Sequence, residues 1–281
     1  MRHVVSRTTV FGVAAVFTLT LLMAPATAQN SDLSNVDLCN GKDAPSPDQV
    51  IEGCTALTKS ADNPKVLAII YNNRGNAYVA KEQYDLAIKD FDEAIKSDPS
   101  YVKAFNNRGV AYEKKGDYDR AIQDFDAALK ISPAYADAFA NRAETYQKKG
   151  DYQSASKDLD EALRLRPNLD ALWNERCWTR TIIGEMSDAL GDCNTAIRLT
   201  PVEAAPFDSR GLTYLKMNEW DLAIADYNAA LKIDPKLPTA LYGRGFAELK
   251  KGNSSGGNAD ITAAKTVDPN IAEEFSHYGL K

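Results

Sequence analysis

Small and bulky apolar residues alternate along this chain at an interval too long for one helix or strand. The segments Asn72–Tyr78 and Asn106–Tyr112 read NNRGNAY and NNRGVAY, 34 residues apart. The same register gives six units: 68–101, 102–135, 136–169, 170–203, 204–237 and 238–271. Position 8 is small in each: Gly75, Gly109, Ala143, Cys177, Gly211 and Gly245. Position 20 is also small, running from Ala87 to Gly257, and position 27 is always Ala. Position 24 is large or apolar: Phe91, Phe125, Leu159, Cys193, Tyr227 and Ile261. Positions 4, 8 and 11 share one helical face, as do 20, 24 and 27. The pattern predicts two helices per unit, brought close by the small residues, with position 24 filling the space beside them. Position 15 is Gly116, Gly150, Gly184, Gly252 or Asn218, residues that tolerate the left-handed end of a helix, and only Glu82 departs. Position 32 is always Pro, which stops the second helix. One such antiparallel pair cannot bury its apolar face alone, so the pairs are expected to stack.

At this period the chain resembles the tetratricopeptide repeat (TPR), over 204 of 281 residues. The resemblance implies an all-α fold, an α-solenoid (a right-handed superhelix) of antiparallel helix pairs. The ends are less regular. Residues 46–57 echo a second helix, with Cys54 in the place of Phe91. Cys54 to Gly75 spans 21 residues where Phe91 to Gly109 spans 18, so residues 29–67 read as a degenerate N-terminal unit with about three extra residues. Ser254-Ser255-Gly256-Gly257 should weaken the second helix of the sixth unit. Residues 272–281 are expected to cap the array, with Phe275, Tyr278 and Leu280 covering apolar surface.

The first residues bear on location. A basic start (Arg2, His3, Arg7), an apolar run from Val10 to Met23, and Ala26-Thr27-Ala28 make the layout of a secretory signal peptide. Residues 1–28 are expected to be removed after Ala28, placing the protein in the periplasm or outside the cell. No Cys follows the run closely enough for a lipid anchor, and no later stretch could span a bilayer. Loss of Arg2 and Arg7 takes the net charge from -6 to -8. An acidic chain without basic runs is a poor nucleic-acid binder.

Four Cys in an oxidising compartment point to bridges, and their spacing suggests Cys39–Cys54 and Cys177–Cys193. The second pair sits at positions 8 and 24 of one hairpin. A zinc site would need CxxC pairs or His partners, and His277 is the one His beyond the signal segment, so no metal or cofactor is implied.

Position 7 is Arg in every unit (Arg74, Arg108, Arg142, Arg176, Arg210, Arg244), and position 23 is Asp (Asp90, Asp124, Asp158, Asp192, Asp226, Asp260). The Arg row could hold an acidic ligand. In an antiparallel pair, however, positions 7 and 23 lie at nearly the same height, so structural Arg–Asp pairs are the favoured reading. The chain lacks HExxH, GxSxG, Walker and dinucleotide motifs, and reads as a non-enzyme.

The resemblance implies that positions 2, 5, 6, 9, 12 and 13 line a concave groove for a protein or peptide. The early units place Asn72, Asn76, Asn106, Asn107 and Asn141 there, and Asn can donate to and accept from a peptide backbone. The later units place Trp178, Leu212, Tyr242 and Phe246 there, which either anchor a partner or pack on neighbouring helices or the C-terminal segment. Asn76 and Asn107 match two positions of the carboxylate clamp found in some TPR proteins. Asn72 stands where the clamp has Lys, and Asp137 and Asn141 stand at its later basic positions, so the set is incomplete. Three function classes stay open. A protein-binding scaffold leads, followed by a structural or adaptor subunit of an envelope assembly, then an enzyme or small-ligand binder.

Overall fold

The computed structural model describes residues 34–280; the expected signal segment lies outside them. The chain divides into two compact units, one up to Thr145 and one from Tyr146. In the N-terminal unit, helical residues 34–39 precede α1 (Pro47–Leu57), α2 (Pro64–Ala80), α3 (Tyr84–Ser97), α4 (Val102–Lys114) and α5 (Tyr118–Ile131). The helix α6 (Ala136–Lys149) carries the division. The C-terminal unit contains α7 (Tyr152–Leu165), α8 (Asp170–Ile183), α9 (Met186–Leu199), α10 (Ala204–Lys216), α11 (Trp220–Ile233), α12 (Pro238–Lys250), α13 (Ser254–Val267) and α14 (Ile271–His277). Within each unit sequential helices pack as adjacent pairs, which makes the fold an all-α solenoid of the TPR type.

The local chemistry sets these boundaries. Ser46 caps α1 through a capping box with Gln49, and Asn63 caps α2 ahead of Pro64. The additional residues after Cys54 enter an extra first turn of α2, which has 17 residues where α4 has 13. Second helices end two residues before the repeat proline, with Asp98 before Pro99 in extended conformation. Glu82 takes the left-handed turn conformation at φ 58° despite its side chain, as Gly116 does at φ 80°.

Size complementarity carries the core. Phe91, Phe125 and Tyr227 are fully buried against Gly75, Gly109 and Gly211. A Cβ on Gly109 would lie 2.7 Å from the Phe125 ring. The Ser-Ser-Gly-Gly stretch does not shorten α13, which runs 14 residues like its counterparts. Asn253 caps it by accepting from the Gly256 N–H, and Gly257 lets the backbones of α12 and α13 meet. A Cβ there would lie 2.7 Å from the Gly245 carbonyl oxygen.

The Arg row is spent on this framework. Arg108 donates Nε and Nη2 to the two oxygens of Asp124, at 2.8 and 2.7 Å. Arg74–Asp90, Arg176–Asp192, Arg210–Asp226 and Arg244–Asp260 repeat that fork. Arg142 and Asp158 fall on opposite sides of the division between units. The third guanidinium nitrogen reaches the preceding hairpin at position 25: Arg108 to Asp92 at 2.6 Å, Arg176 to Asp160 at 2.9 Å and Arg244 to Asn228 at 2.8 Å. Each of these Arg side chains thus joins two helices of one repeat and ties that repeat to its predecessor.

Both cysteine pairs lie at disulfide distance, Cys39 with Cys54 and Cys177 with Cys193, with Cα atoms 4.7 and 5.2 Å apart. All four residues are buried. Replacing Cys177 and Cys193 by Ser is expected to remove about 2–3 kcal/mol, the loop-closure contribution of a crosslink this size. Urea unfolding with and without reductant reads it. Stability of the wild type that does not change on reduction would show that the bridges contribute nothing.

Candidate functional site

The candidate site is the face formed by the first helices, where the sequence puts its expected partner-facing residues. In the N-terminal unit the asparagines form a ladder between hairpins. Asn107 donates Nδ2 to Asn72 Oδ1 at 2.9 Å, and Asn141 donates to Asn106 Oδ1 at 2.9 Å. Asn73 starts the ladder by donating to the Cys39 carbonyl at 3.1 Å. Position 6 of one repeat therefore serves position 5 of the one before. Asn72 and Asn106 are buried, at 3% and 5% exposure. Their expected role as groove-lining contacts for a peptide is corrected: they are buried and take up the carboxamides of Asn107 and Asn141, which adjacent first helices bring within reach. Asn107 and Asn141 are part-buried, and Asn76 is exposed.

In the C-terminal unit the first-helix face is apolar and already occupied. Leu212 is buried at 5% exposure and belongs to the core, which corrects its placement among the partner-facing residues. Trp178, Tyr242 and Phe246 are half-buried. Trp178 stands edge-on between Tyr152 and Tyr278, with ring centroids 5.5 and 5.8 Å away. Tyr242 lies 4.6 Å from Phe275. Phe246 leans on Trp220 at 6.5 Å, with the Lys250 ammonium 4.9 Å from its ring.

The pairs Tyr152–Trp178 and Trp220–Phe246 occupy the same two repeat positions, 17 and the next unit's 9. The recurrence of Tyr84, Tyr118, Tyr152 and Trp220 at position 17 is the sequence signal for this support. Trp178 is thus packed on two sides, and its substitution will touch the fold as well as the surface.

Beneath these rings lies a polar group the repeat pattern passes over. Asp208 is at position 5 of its unit, on α10. Its Oδ2 accepts from Thr239 Oγ1 at 2.7 Å, while Oδ1 is buried with no hydrogen-bonding partner in the protein. Burial pushes the carboxyl up to about 7, and the charge of nearby Glu274 adds to the rise. The Tyr227 hydroxyl is likewise buried without a partner. Its ring projects beside Gly243, where any Cβ would lie 2.2 Å away. The Tyr278 hydroxyl donates to Glu274, and burial with that carboxylate raises Tyr278 far above its ordinary value.

No helix among the described residues is long and apolar enough to cross a membrane. Three family models match the chain: a tetratricopeptide repeat model over residues 72–136, a second over 112–175, and a TPR repeat model over 211–252. No curated protein matches it. Among solved structures, YrrB, described as a TPR protein with an unusual peptide-binding site, is 20% identical, with a TM-score of 0.54 over 66% of this chain and 97% of its own. A tetratricopeptide repeat protein from Parabacteroides merdae is 18% identical, with a TM-score of 0.64 over 89% of this chain and 98% of its own. PilF from Pseudomonas aeruginosa is 16% identical, with a TM-score of 0.63 over 76% and 98%. At these identities the structures speak for the fold, and the family models for the repeat. With matched segments covering more than half of its length, the chain belongs to the tetratricopeptide repeat family, whose members are protein-interaction scaffolds.

Proposed function

We propose that this protein is an exported, non-catalytic scaffold that binds a segment of a partner protein along its first-helix face. The observation that supports this most is how the repeat-phased charges are used. Arg74, Arg108, Arg176, Arg210 and Arg244 close hairpins with their Asp partners, so those residues are not free for chemistry or for an acidic ligand. What varies from repeat to repeat is the first-helix face: exposed Asn76 and Lys103 in one unit, aromatic Trp178, Tyr242 and Phe246 in the other. Aromatic side chains on such a face are the type that dominates binding energy. Two buried disulfides favour an oxidising compartment, in keeping with removal of residues 1–28.

Two measurements test the reading. N-terminal sequencing of the protein from cell fractions is expected to start at Gln29 in the periplasmic or secreted fraction; an intact Met1 form confined to the cytoplasm would overturn export. Peptides selected from a displayed library on residues 29–281 are expected to lose at least tenfold in affinity, about 1.4 kcal/mol, with Asn76→Ala or Phe246→Ala. Affinities indifferent to both substitutions would place binding elsewhere.

A further inference from the structure

The last helix does not simply continue the stack. A next helix in line would touch only α12 and α13. Phe275 does lie against Tyr242 of α12, but Tyr278 lies 5.8 Å from Trp178 of α8, two first helices earlier than α12. Thus α14 packs on α12 and α13, and Tyr278, just past its end, reaches back along the first-helix face inside the C-terminal unit to α8. Ile271 and Phe275 of α14 and the capping Tyr278 are buried, at 0%, 2% and 8% exposure. These are i, i+4 and i+7, one stripe of an amphipathic helix. That is the way a helical peptide docks in an apolar groove, here with the peptide supplied by the same chain.

The fit is good for the apolar stripe and poor for the polar group under it. Asp208 Oδ1 and the Tyr227 hydroxyl are buried and lack partners; the charge α14 sets near Asp208 is another carboxylate, Glu274, and the Tyr278 hydroxyl is held by Glu274 instead. An unmade hydrogen bond in such a place leaves the full cost of desolvating the group uncompensated. A seven-residue helix also has little stability of its own. Both features make the occupant displaceable by a segment that keeps the apolar stripe and brings a donor.

We propose that this face is the docking site for an amphipathic helix of a partner protein, that α14 holds the site in its absence, and that the partner carries apolar side chains at the spacing of Ile271, Phe275 and Tyr278 with a hydrogen-bond donor in place of Glu274. This rests on the scaffold reading above. The tethered helix acts as a competitor at high effective concentration, so a partner's apparent affinity falls by the fraction of molecules in which the site is open.

The probe is a fluorescein-labelled synthetic peptide of residues 268–281 carrying Glu274→Gln, titrated by anisotropy into the full mature chain. The variant with Phe275→Ala and Tyr278→Ala loosens the resident helix and is expected to bind the peptide at least tenfold more tightly than the wild type. The chain carrying Glu274→Gln gives its own helix the missing donor. It is expected to melt higher and bind the peptide at least threefold more weakly. Equal affinity in wild type and the double variant, or no binding by either, overturns the proposal. If the double variant does not fold, the Glu274→Gln chain decides alone, and unchanged affinity there overturns it. Library peptides that still respond to Asn76→Ala in that event would leave the scaffold reading standing.

Discussion

Replacing Phe125 by alanine is expected to cost about 3–5 kcal/mol, the range for truncating a buried aromatic residue. The ring is fully buried and lies against Gly109, which has no side chain to move into the space left behind. The same junction resists change from the other side. In Gly109→Ala the new methyl would sit 2.7 Å from the ring, an overpacking that costs about 1–3 kcal/mol. The two positions should compensate. Ala143 and Leu159, both fully buried, hold the equivalent places in the following repeat. Gly109→Ala combined with Phe125→Leu is therefore expected to be clearly more stable than the sum of its single changes predicts. Urea unfolding followed by circular dichroism gives all three values. Strict additivity would mean that the two residues do not share one packing constraint.

That junction explains why so much of the fold was legible in the sequence. A Gly or Ala at position 8 and a large side chain at position 24 are two halves of one contact, repeated every 34 residues, so periodicity reported on packing directly. Cys177 and Cys193 obey the same rule with a covalent link. The irregular parts were harder. Counting residues from Cys54 to Gly75 revealed an insertion, but whether it entered a loop or a helix depended on Asn63 and Pro64 starting α2 a turn early. The glycines of α13 read as weakness because helix propensity is local, whereas their benefit is the approach of Gly257 to Gly245 on another helix.

The candidate site was legible only in part, for a related reason. Repeat positions say which face a residue occupies, not what lies on top of it. Asn72 and Asn106 fell on the right face, but the neighbouring repeat covers them and takes up their carboxamides. Trp178 and Tyr242 fell on it too, and the segment that covers them comes from the far end of the chain. Asp208 passed unnoticed because one carboxylate among many carries no signal until its burial is known. Position 25 was missed because its acceptors change from Asp (Asp92, Asp126, Asp160) to Asn (Asn194, Asn228) along the chain, although both accept from the Arg of the next repeat.

Removing Arg108 tests how those ladders are weighted. In Arg108→Ala the Asp124 carboxylate stays behind at 5% exposure without its bidentate partner. The expected loss is about 3–5 kcal/mol, that of stranding a buried charge. Asp92→Ala removes the third bond only. Its side chain is half exposed, so the loss should stay under about 1 kcal/mol. Arg108→Lys should fall well short of wild type, because one ammonium cannot serve both oxygens of Asp124 and Asp92 together. Exchanging charges, as Arg108→Asp with Asp124→Arg, should recover only part of the loss, since the new carboxylate would face Asp92. Adding Asp92→Asn, which copies Asn194 and Asn228 in later repeats, should recover more. The loss in Arg108→Ala should also depend on pH. Burial already holds the Asp124 carboxyl above its ordinary value with Arg108 beside it. Without the guanidinium it should rise further. A carboxyl raised in the folded state favours folding while protonated, and that contribution is lost as pH rises through its folded value. The deficit relative to wild type should therefore be smaller at about pH 4.5 than at about pH 7.5. Denaturation at both values reads this. A deficit that does not change with pH would show that Asp124 is either solvated or re-paired in the variant, and that the Arg row contributes packing rather than charge.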